Sequence, residues 1–190
     1  MDLVRRALLV WAFGFCLLTG AWGTKPVAPP PPPSTEQVLG QAETTAKAEH
    51  KKILLVFSAS WCGPCHMLEK FFDDPQVRPV LEKNFVVVHL DVMENPKDLV
   101  HASNPGGELE MAKLGGGGTG VPYYAMLDAE GNWITDSKMP AGDEPPENLG
   151  YPSGSDQISW FMHMVKKAAP EMAAEDLKTL RDFLEKHGSL

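Results

Sequence analysis

The sequence predicts an α/β fold, and three observations support that prediction. Short runs of apolar and β-branched residues, of the length of buried strands, lie at 53–57 and 85–91. Apolar residues at helical spacing follow the first run, at 67–72. Two further strand-like segments, 123–127 and 133–135, are separated by a short turn containing Asp and Gly, as in an antiparallel hairpin. We therefore expect a central mixed sheet flanked by helices.

Residues 1–23 have the features of a secretory signal peptide. Arg5 and Arg6 precede an uncharged run, 7–23, which ends with small residues at positions −3 and −1 of a cleavage site after Gly23. The sequence thus predicts an exported protein, in the periplasm or another extracytoplasmic space. The alternative is an uncleaved segment that anchors the chain in a membrane, because the run is close to the shortest length that spans a bilayer.

Residues 24–35, TKPVAPPPPPST, form a proline-rich linker, which is expected to be an extended spacer. A docking site for a proline-recognising module is the alternative. At its end, Ser34 followed by Gln37 has the pattern of a capping box, which predicts a helix running to about His50. The first core strand follows, so the folded domain is expected to span 36–168.

The middle of the chain contains two predicted helices and a glycine-rich loop. Asp73 or Asp74 is placed to cap a helix whose first residue would be Pro75. A short helix is predicted at 108–114, and the loop 115–120 follows it. This loop satisfies G-x-G-x-x-G, the pattern of dinucleotide sites. It follows a helix instead of a strand, however, which is the wrong order for such a site, and the hypothesis is rejected.

The C-terminal third is predicted to contain a loop and two helices. Segment 136–155 is rich in proline, glycine and acidic residues and is expected to be an exposed loop insertion. A helix then starts at about Ser155. Pro170 is expected to open a last amphipathic helix that Gly188 ends, so that residues 169–190 are an appended C-terminal helix.

Two cysteines, Cys62 and Cys65, lie where the first strand leads into a helix. The C-x-x-C spacing in this position is typical of a thiol–disulfide redox pair. Cys62 would lie at the helix N-terminus, where free N–H groups and the helix dipole favour a thiolate. We expect it to be a solvent-accessible nucleophile, with Cys65 as the shielded resolving thiol. If Cys16 leaves with the signal peptide, no cysteine remains for a structural disulfide framework.

The string Trp-Cys-Gly-Pro-Cys at 61–65, with Gly-Val-Pro at 120–122, resembles the thioredoxin family. The segments 67–70 and 81–86 are similar to exported thioredoxin-like domains, among them the C-terminal domain of the membrane thiol:disulfide interchange protein. The resemblance covers about 36–167. It implies a thioredoxin-like fold and protein disulfides as substrates. Because the compartment outside the cytosol is oxidising, the protein's own disulfide would need a membrane-borne reductant as a partner.

The resemblance also implies roles for the residues beside the cysteines. Gly63 and Pro64 keep the turn tight and accompany the reducing members of the family. Trp61 is expected to pack beside the disulfide, with simple core filling as the alternative.

Pro122 matches the family's cis-proline, and Val121 before it would offer its backbone N–H and C=O to an extended substrate. Tyr123 stands where relatives often carry threonine, so it is also expected to contact substrate, in a different way. Val56 replaces a buried aspartate thought to assist proton transfer from the resolving thiol. His89 falls at the position of the family's lysine and is a candidate proton relay, since histidine titrates in the right range. The alternative is a partly buried histidine without that role.

Residues 62–66 also spell C-x-x-C-H, the signature of c-type haem attachment, with His66 as the iron ligand. The strand before the motif and Pro64 within it fit a thioredoxin-like domain better, and haem is kept as a remote alternative. Zinc is disfavoured because two cysteines and one adjacent histidine do not complete a tetrahedron. We expect no metal and no cofactor besides the redox-active disulfide Cys62–Cys65.

Composition supports a globular protein, with 43% hydrophobic and 22% charged residues. The net charge of −8 and the lack of a basic cluster argue against a nucleic-acid partner. Membrane contact is expected only if the N-terminal segment stays uncleaved. The sequence therefore predicts an exported thiol–disulfide oxidoreductase that reduces protein disulfides. The non-enzymatic alternative is a binding or assembly module whose Cys62–Cys65 disulfide is static.

Overall fold

The computed structural model describes residues 30–98 and 100–188, and it confirms the α/β fold with a central mixed sheet. The predicted signal peptide, 1–23, and most of the predicted linker lie outside the described residues. No helix in the described ranges has both the length and the apolar character needed to cross a membrane. In chain order the elements are α1 Thr35–Glu49, β1 Lys52–Ser58, α2 Gly63–Asp73, α3 Arg78–Asn84, β2 Phe85–Asp91, α4 Gly107–Lys113, β3 Tyr123–Leu127, β4 Trp133–Asp136, β5 Lys138–Ala141, β6 Glu144–Asn148, α5 Ser155–Ala168 and α6 Ala174–His187.

Four strands form the main sheet in the order β2-β1-β3-β4. β1 runs parallel to β2 and antiparallel to β3, with Val56 opposite His89 on one side and Tyr124 on the other. The parallel pair requires a crossover, which α2 and α3 provide. The central strand β1 ends at Ser58, directly before the cysteines, so the sheet sets the position of the C-x-x-C motif.

Apolar side chains cover both faces of the sheet. Leu54 and Val56 point to a core shared with α2, α3, α5 and α6, whereas Ile53, Leu55 and Phe57 point to a core shared with α1 and α4. All five are at most 1% exposed. Burial of one such side chain contributes about 1.5–3 kcal/mol, so β1 is a rigid support for the loop that follows it.

The capping box predicted before the first helix is present. The Gln37 N–H donates to Ser34 Oγ (3.2 Å), and the Ser34 N–H donates to Gln37 Oε1 (2.9 Å). The helix begins at Thr35, the last residue of the predicted linker, and His50 ends it with a left-handed backbone conformation (φ 55°).

The helix predicted to start at Pro75 starts instead at Arg78. Asp74 Oδ1 accepts a hydrogen bond from the Gln76 N–H (2.8 Å), and the Asp74 carbonyl accepts from the N–H groups of Val77 and Arg78. Asp74 therefore closes a turn instead of capping a helix at Pro75. The proline lies within that turn.

The segment predicted as an exposed loop insertion, 136–155, contains a two-stranded antiparallel sheet formed by β5 and β6, here called the β5–β6 hairpin. Strand β6 is largely exposed, as expected, whereas β5 is mostly half-buried, and Gly142 (φ 64°) lies in the turn between them. Prolines disfavour strand prediction because they lack an N–H group. They are tolerated here because each strand of an isolated pair has one unpaired side.

The last helix begins at Ala174, and not at Pro170, because residues around Pro170 form a turn in which the Met172 N–H donates to the Ala169 carbonyl. Gly188 ends the helix as predicted. Leu180 and Leu184 are fully buried in the same core as α5. This helix therefore contributes to the core that supports α2.

Candidate active site

Cys62 and Cys65 form a disulfide bond at the start of α2, with 5.2 Å between their Cα atoms. Cys62 is the N-cap residue of the helix and Cys65 lies in its first turn. The position predicted for Cys62 from the strand–motif–helix order is thus correct.

The backbone around Cys62 favours negative charge on its sulfur. The Cys65 N–H donates to Cys62 Sγ over 3.2 Å. The first turn of α2 contains no acidic residue, so the positive end of the helix faces the sulfur without compensation. After reduction, these donors would favour the thiolate form of Cys62.

Both cysteines are buried in the disulfide form, Cys62 at 3% and Cys65 at 1% exposure. Shielding of Cys65 was expected, but the expectation that Cys62 is openly exposed was wrong for this state. The reason is packing: the pair forms an apolar cluster with Ala59, and Val121 lies against it. A reaction partner must therefore reach the sulfur between the C-x-x-C turn and the segment around Val121.

The residues beside the cysteines are exposed. Trp61 is 61% exposed, and its Nε1–H donates to the Met93 carbonyl (2.9 Å), so the alternative of simple core filling is wrong. Gly63 and Pro64 are exposed as well, and no atom lies within 4 Å of a Cβ built on Gly63. Trp61, Gly63 and Pro64 thus form the exposed rim of the site.

The segment at Pro122 lies directly beside the disulfide. The Val121–Pro122 peptide bond is cis, and the Val121 carbonyl oxygen lies 3.4 Å from Cys62 Sγ. A reduced Cys62 thiol could donate to this oxygen. Among the described residues, none accepts a hydrogen bond from the Val121 N–H. The structure therefore brings Val121, Pro122 and the cysteines together, as the sequence predicted.

The prediction that Tyr123 contacts substrate was wrong for its side chain. Tyr123 is fully buried, and its hydroxyl donates to the Leu114 carbonyl. Its ring packs on Gly116, where a Cβ would lie 2.5 Å from a ring carbon. Desolvation, with the nearby Asp136 carboxylate, raises the pKa of the hydroxyl. Tyr123 supports the glycine-rich loop and does not face a partner.

His89 lies on the edge strand β2, away from the cluster that contains the cysteines. Its ring is 6.3 Å from that of Phe72, and it lines a surface crevice with Asp73 and Arg78. Desolvation lowers the pKa of the imidazole, although the Glu69 and Asp73 carboxylates oppose this shift. Within the described residues it forms no hydrogen bond with Cys65. The relay role stays a prediction without a contact to support it.

Sequence reasoning missed a polar network that holds the loop before Trp61. The Ser60 N–H donates to Glu94 Oε1 (2.5 Å) and its hydroxyl to Glu94 Oε2 (2.7 Å). His66 Nε2 donates to the Ser60 carbonyl (2.9 Å), since a carbonyl only accepts. Glu94 is 9% exposed and lies 34 residues from Ser60, so no local motif reveals it.

The same network bears on the haem and zinc alternatives. His66 Nε2 is occupied by Ser60, and His66 Nδ1 lies 3.3 Å from a Glu69 carboxylate oxygen. Both cysteine sulfurs are bonded to each other. In the part of the chain that the structure describes, no three potential ligands are grouped as a metal site requires. These contacts assign His66 to the support of the loop.

Comparison with known proteins places this geometry in a family. A family model described as thioredoxin-like matches residues 35–129, half of the chain. The chain is 32% identical over 102 residues to the thiol:disulfide interchange protein DsbD of Vibrio vulnificus strains CMCP6 and YJ016. The match covers 53% of this chain but only 15% of the length of those curated relatives.

Two solved bacterial structures have folds similar to that of this chain. The disulphide isomerase from Xylella fastidiosa Temecula1 has a TM-score of 0.46 at 20% identity, covering 80% of this chain and 88% of that one. The oxidised C-terminal domain of Neisseria meningitidis DsbD has a TM-score of 0.43 at 19% identity, covering 71% and 99% respectively.

Proposed function

The chain belongs to the thioredoxin-like family, and from this premise we propose that it is an exported thiol–disulfide oxidoreductase that reduces protein disulfides. One observation carries the proposal: the Cys62–Cys65 disulfide caps a helix N-terminus, with the Val121 carbonyl 3.4 Å from Cys62 Sγ. This arrangement combines a sulfur that favours the thiolate with a second sulfur that can displace a bound partner.

The proposed reaction transfers two electrons from the reduced cysteine pair to a substrate disulfide. The Cys62 thiolate attacks one substrate sulfur, the substrate S–S bond breaks, and the leaving substrate thiolate takes a proton from solvent. Cys65 then loses its proton to solvent and attacks Cys62 Sγ. The mixed disulfide breaks, the second substrate thiol is released, and the Cys62–Cys65 disulfide remains.

Burial and hydrogen bonding support this division of roles. Cys65 donates its N–H to Cys62 Sγ, which favours charge on Cys62 and not on Cys65. Both sulfurs are buried in the disulfide form, but Cys62 precedes the helix at its N-cap beside the exposed Trp61 and Gly63, whereas Cys65 lies inside the first turn of α2, so Cys62 is the sulfur that a substrate would reach first. Because the two residues are one turn apart, attack of Cys65 on the mixed disulfide is intramolecular and fast.

Substrate docking is proposed to use the backbone of Val121. Its N–H is free to pair with an extended segment next to the substrate disulfide, as in other modes of strand addition. The exposed rim of Trp61, Gly63 and Pro64 would form the other side of the approach. A flexible polypeptide disulfide fits this narrow entrance better than a disulfide held in a rigid core.

The oxidised protein must be reduced again after each cycle. Extracytoplasmic compartments are oxidising, so reducing equivalents have to come from elsewhere. We propose a membrane-borne reductant as the electron donor, which is consistent with the relatives being thiol:disulfide interchange proteins. The signal-like segment 1–23 supports export.

Two cysteine variants test the proposal, and each serves as the control of the other because each lacks one sulfur. Cys62→Ser is expected to abolish insulin reduction by the reduced protein. Cys65→Ser should instead accumulate mixed disulfides between Cys62 and substrate, visible on non-reducing gels. Turnover by Cys62→Ser at the wild-type rate would refute the assignment.

A static disulfide in a binding module is the second candidate, and the burial of both sulfurs favours it. The two candidates differ in reduction potential. A redox pair should equilibrate with dithiothreitol or glutathione at a potential of about −270 to −120 mV, the range of known exchange catalysts. A structural clamp should stay oxidised in these buffers until the protein unfolds.

A further inference from the structure

We propose that Asn148 is a positioning residue for the redox site. Through this side chain the β5–β6 hairpin holds the segment around Val121 and thereby sets the Val121 backbone against Cys62 Sγ. The inference rests on the proposed disulfide-exchange function, and it assigns a role in that function to the inserted hairpin.

The first step is the pair of hydrogen bonds that Asn148 donates. Its Nδ2 group donates to the Pro122 carbonyl over 2.9 Å and to the Gly120 carbonyl over 3.3 Å. These two carbonyls lie on either side of Val121. One amide group, which has two N–H donors, thus holds the backbone both before and after the residue that touches the sulfur.

The second step is the orientation of the Asn148 amide, which its surroundings determine. Asn148 Oδ1 accepts from the Ser137 hydroxyl over 2.8 Å. The Ser137 hydroxyl oxygen accepts from the Tyr124 N–H, and the Ser137 N–H donates to the Tyr124 carbonyl. Because the Gly120 and Pro122 carbonyls can only accept, the Nδ2 group must face them, and Oδ1 is then left to accept from the buried Ser137 hydroxyl.

The third step is the attachment of the hairpin to the core. Asn148 pairs with Lys138 at the base of the β5–β6 hairpin, and the Leu149 N–H donates to the Ser137 carbonyl over 2.8 Å. Leu149 itself is buried in the core below the sheet. The base of the hairpin is therefore fixed to the core. This fixed base holds Asn148 in position beside the redox site.

The consequence concerns the backbone on the N-terminal side of Val121. The Val121 side chain packs against the disulfide cluster, but Gly118 and Gly120 before it have positive φ (78° and 77°) and no side chains that packing could hold in place. With Asn148 in place, the Val121 carbonyl is held at the sulfur and its N–H stays available for substrate. Without Asn148 the segment relaxes, and substrate docking weakens more than the chemistry of Cys62.

Asn148→Leu tests the inference because it keeps a neutral side chain of similar size and removes both donors. We expect kcat/KM for insulin reduction to fall about tenfold, mainly through KM, because the hydrogen bonds that hold the backbone on both sides of Val121 for docking are lost. Reduction of 5,5′-dithiobis(2-nitrobenzoate), which needs no docked backbone, should stay within about twofold of wild type. Glu147→Gln, the exposed neighbour on β6, is the matched control and should leave both rates unchanged.

An equilibrium measurement keeps the test independent of turnover. At a pH where reduced Cys62 is protonated, its thiol donates to the Val121 carbonyl, so loss of this contact in Asn148→Leu should shift the equilibrium with dithiothreitol toward the oxidised protein by roughly threefold. If Asn148→Leu does not fold, Asn148→Ser carries the same expectations. An unchanged equilibrium, or an equal loss in both rate assays, overturns the inference. Failure of wild type to reduce insulin would instead overturn the proposed function.

Discussion

Tyr123 and Tyr124 are adjacent residues of β3, and removal of the hydroxyl group from each is expected to change the free energy of unfolding in opposite directions. Their side chains lie in the two different cores, and both are 0% exposed. The Tyr123 hydroxyl donates to the Leu114 carbonyl, whereas the Tyr124 hydroxyl has no hydrogen-bond partner in the described ranges. Desolvation is the main cause that raises the pKa of both hydroxyls, so both stay protonated at neutral pH.

The expected magnitudes follow from these contacts. Tyr123→Phe removes a hydrogen bond to a carbonyl at the end of α4 and should lower the free energy of unfolding by about 1–2 kcal/mol. Tyr124→Phe removes a buried hydroxyl without a partner and should raise it by about 1–2 kcal/mol. The ring of Tyr124 keeps its packing on Phe161, 6.2 Å away between centroids.

Denaturant unfolding of the oxidised protein measures both variants, with the slope m as a check that the unfolded state is unchanged. Because the two hydroxyls lie on opposite faces, the double variant should return to within about 0.5 kcal/mol of wild type. A loss of stability in Tyr124→Phe, or shifts of the same sign in both variants, would refute the reasoning from hydroxyl satisfaction.

Three further predictions concern the site and its supports. Glu94→Gln leaves one Ser60 donor without an acceptor and should lower the free energy of unfolding by about 1–2 kcal/mol, measured by denaturant unfolding. Gly116→Ala forces a methyl group into the Tyr123 ring and should cost about 1–3 kcal/mol by the same measurement. His89 is exposed at the surface, but desolvation beside Phe72 lowers the pKa of its imidazole, so the unfolded chain binds its proton more readily. Wild-type stability should therefore fall as pH drops from about 7.5 to about 5.5, and this fall should be smaller in His89→Gln.

Two of these predictions have a control variant, and the third has an outcome that would contradict it. Gly40→Ala places a methyl group where no atom lies within 4 Å and should be neutral or stabilising, because Gly40 lies within α1. Ser34→Ala is the control for Glu94→Gln. It removes a helix cap far from the cysteines, so it shows the effect of a general loss of stability that does not involve the loop before Trp61. An unaltered pH dependence in His89→Gln would show that other groups cause the effect.

Local patterns predicted most of the fold. β1, β2 and β3 were predicted nearly residue by residue because runs of apolar residues are short-range signals. The starts of α3 and α6 were wrong because a proline opens a helix or lies in a turn equally well. Hydrogen bonds around Asp74 and Ala169 decide between the two. The β5–β6 hairpin was missed because its prolines lack the N–H groups that strands use for pairing. A segment rich in proline therefore does not have the pattern of a strand, even where its other residues pair.

The residues of the candidate site also fall into those that local motifs predicted and those that they did not. Cys62, Cys65 and Val121 were predicted because motifs mark them, and the structure brings them together. Glu94 and Asn148 act on groups 34 and 26 residues away, respectively, and an isolated glutamate or asparagine carries no local signal of such a contact. The exposure of Cys62 was mispredicted because it depends on Val121 packing, which the spacing of the cysteines does not determine.

The composition of the β5–β6 hairpin has a consequence for self-association. An exposed two-stranded ribbon offers two unpaired rims, to which a strand of another molecule could add. Three prolines, Pro140, Pro145 and Pro146, and the acidic residues Glu144 and Glu147 occupy its strands. Proline withholds the donor that an incoming strand needs, and like charges on two copies repel each other. These features disfavour the addition of a strand from a second copy to this ribbon.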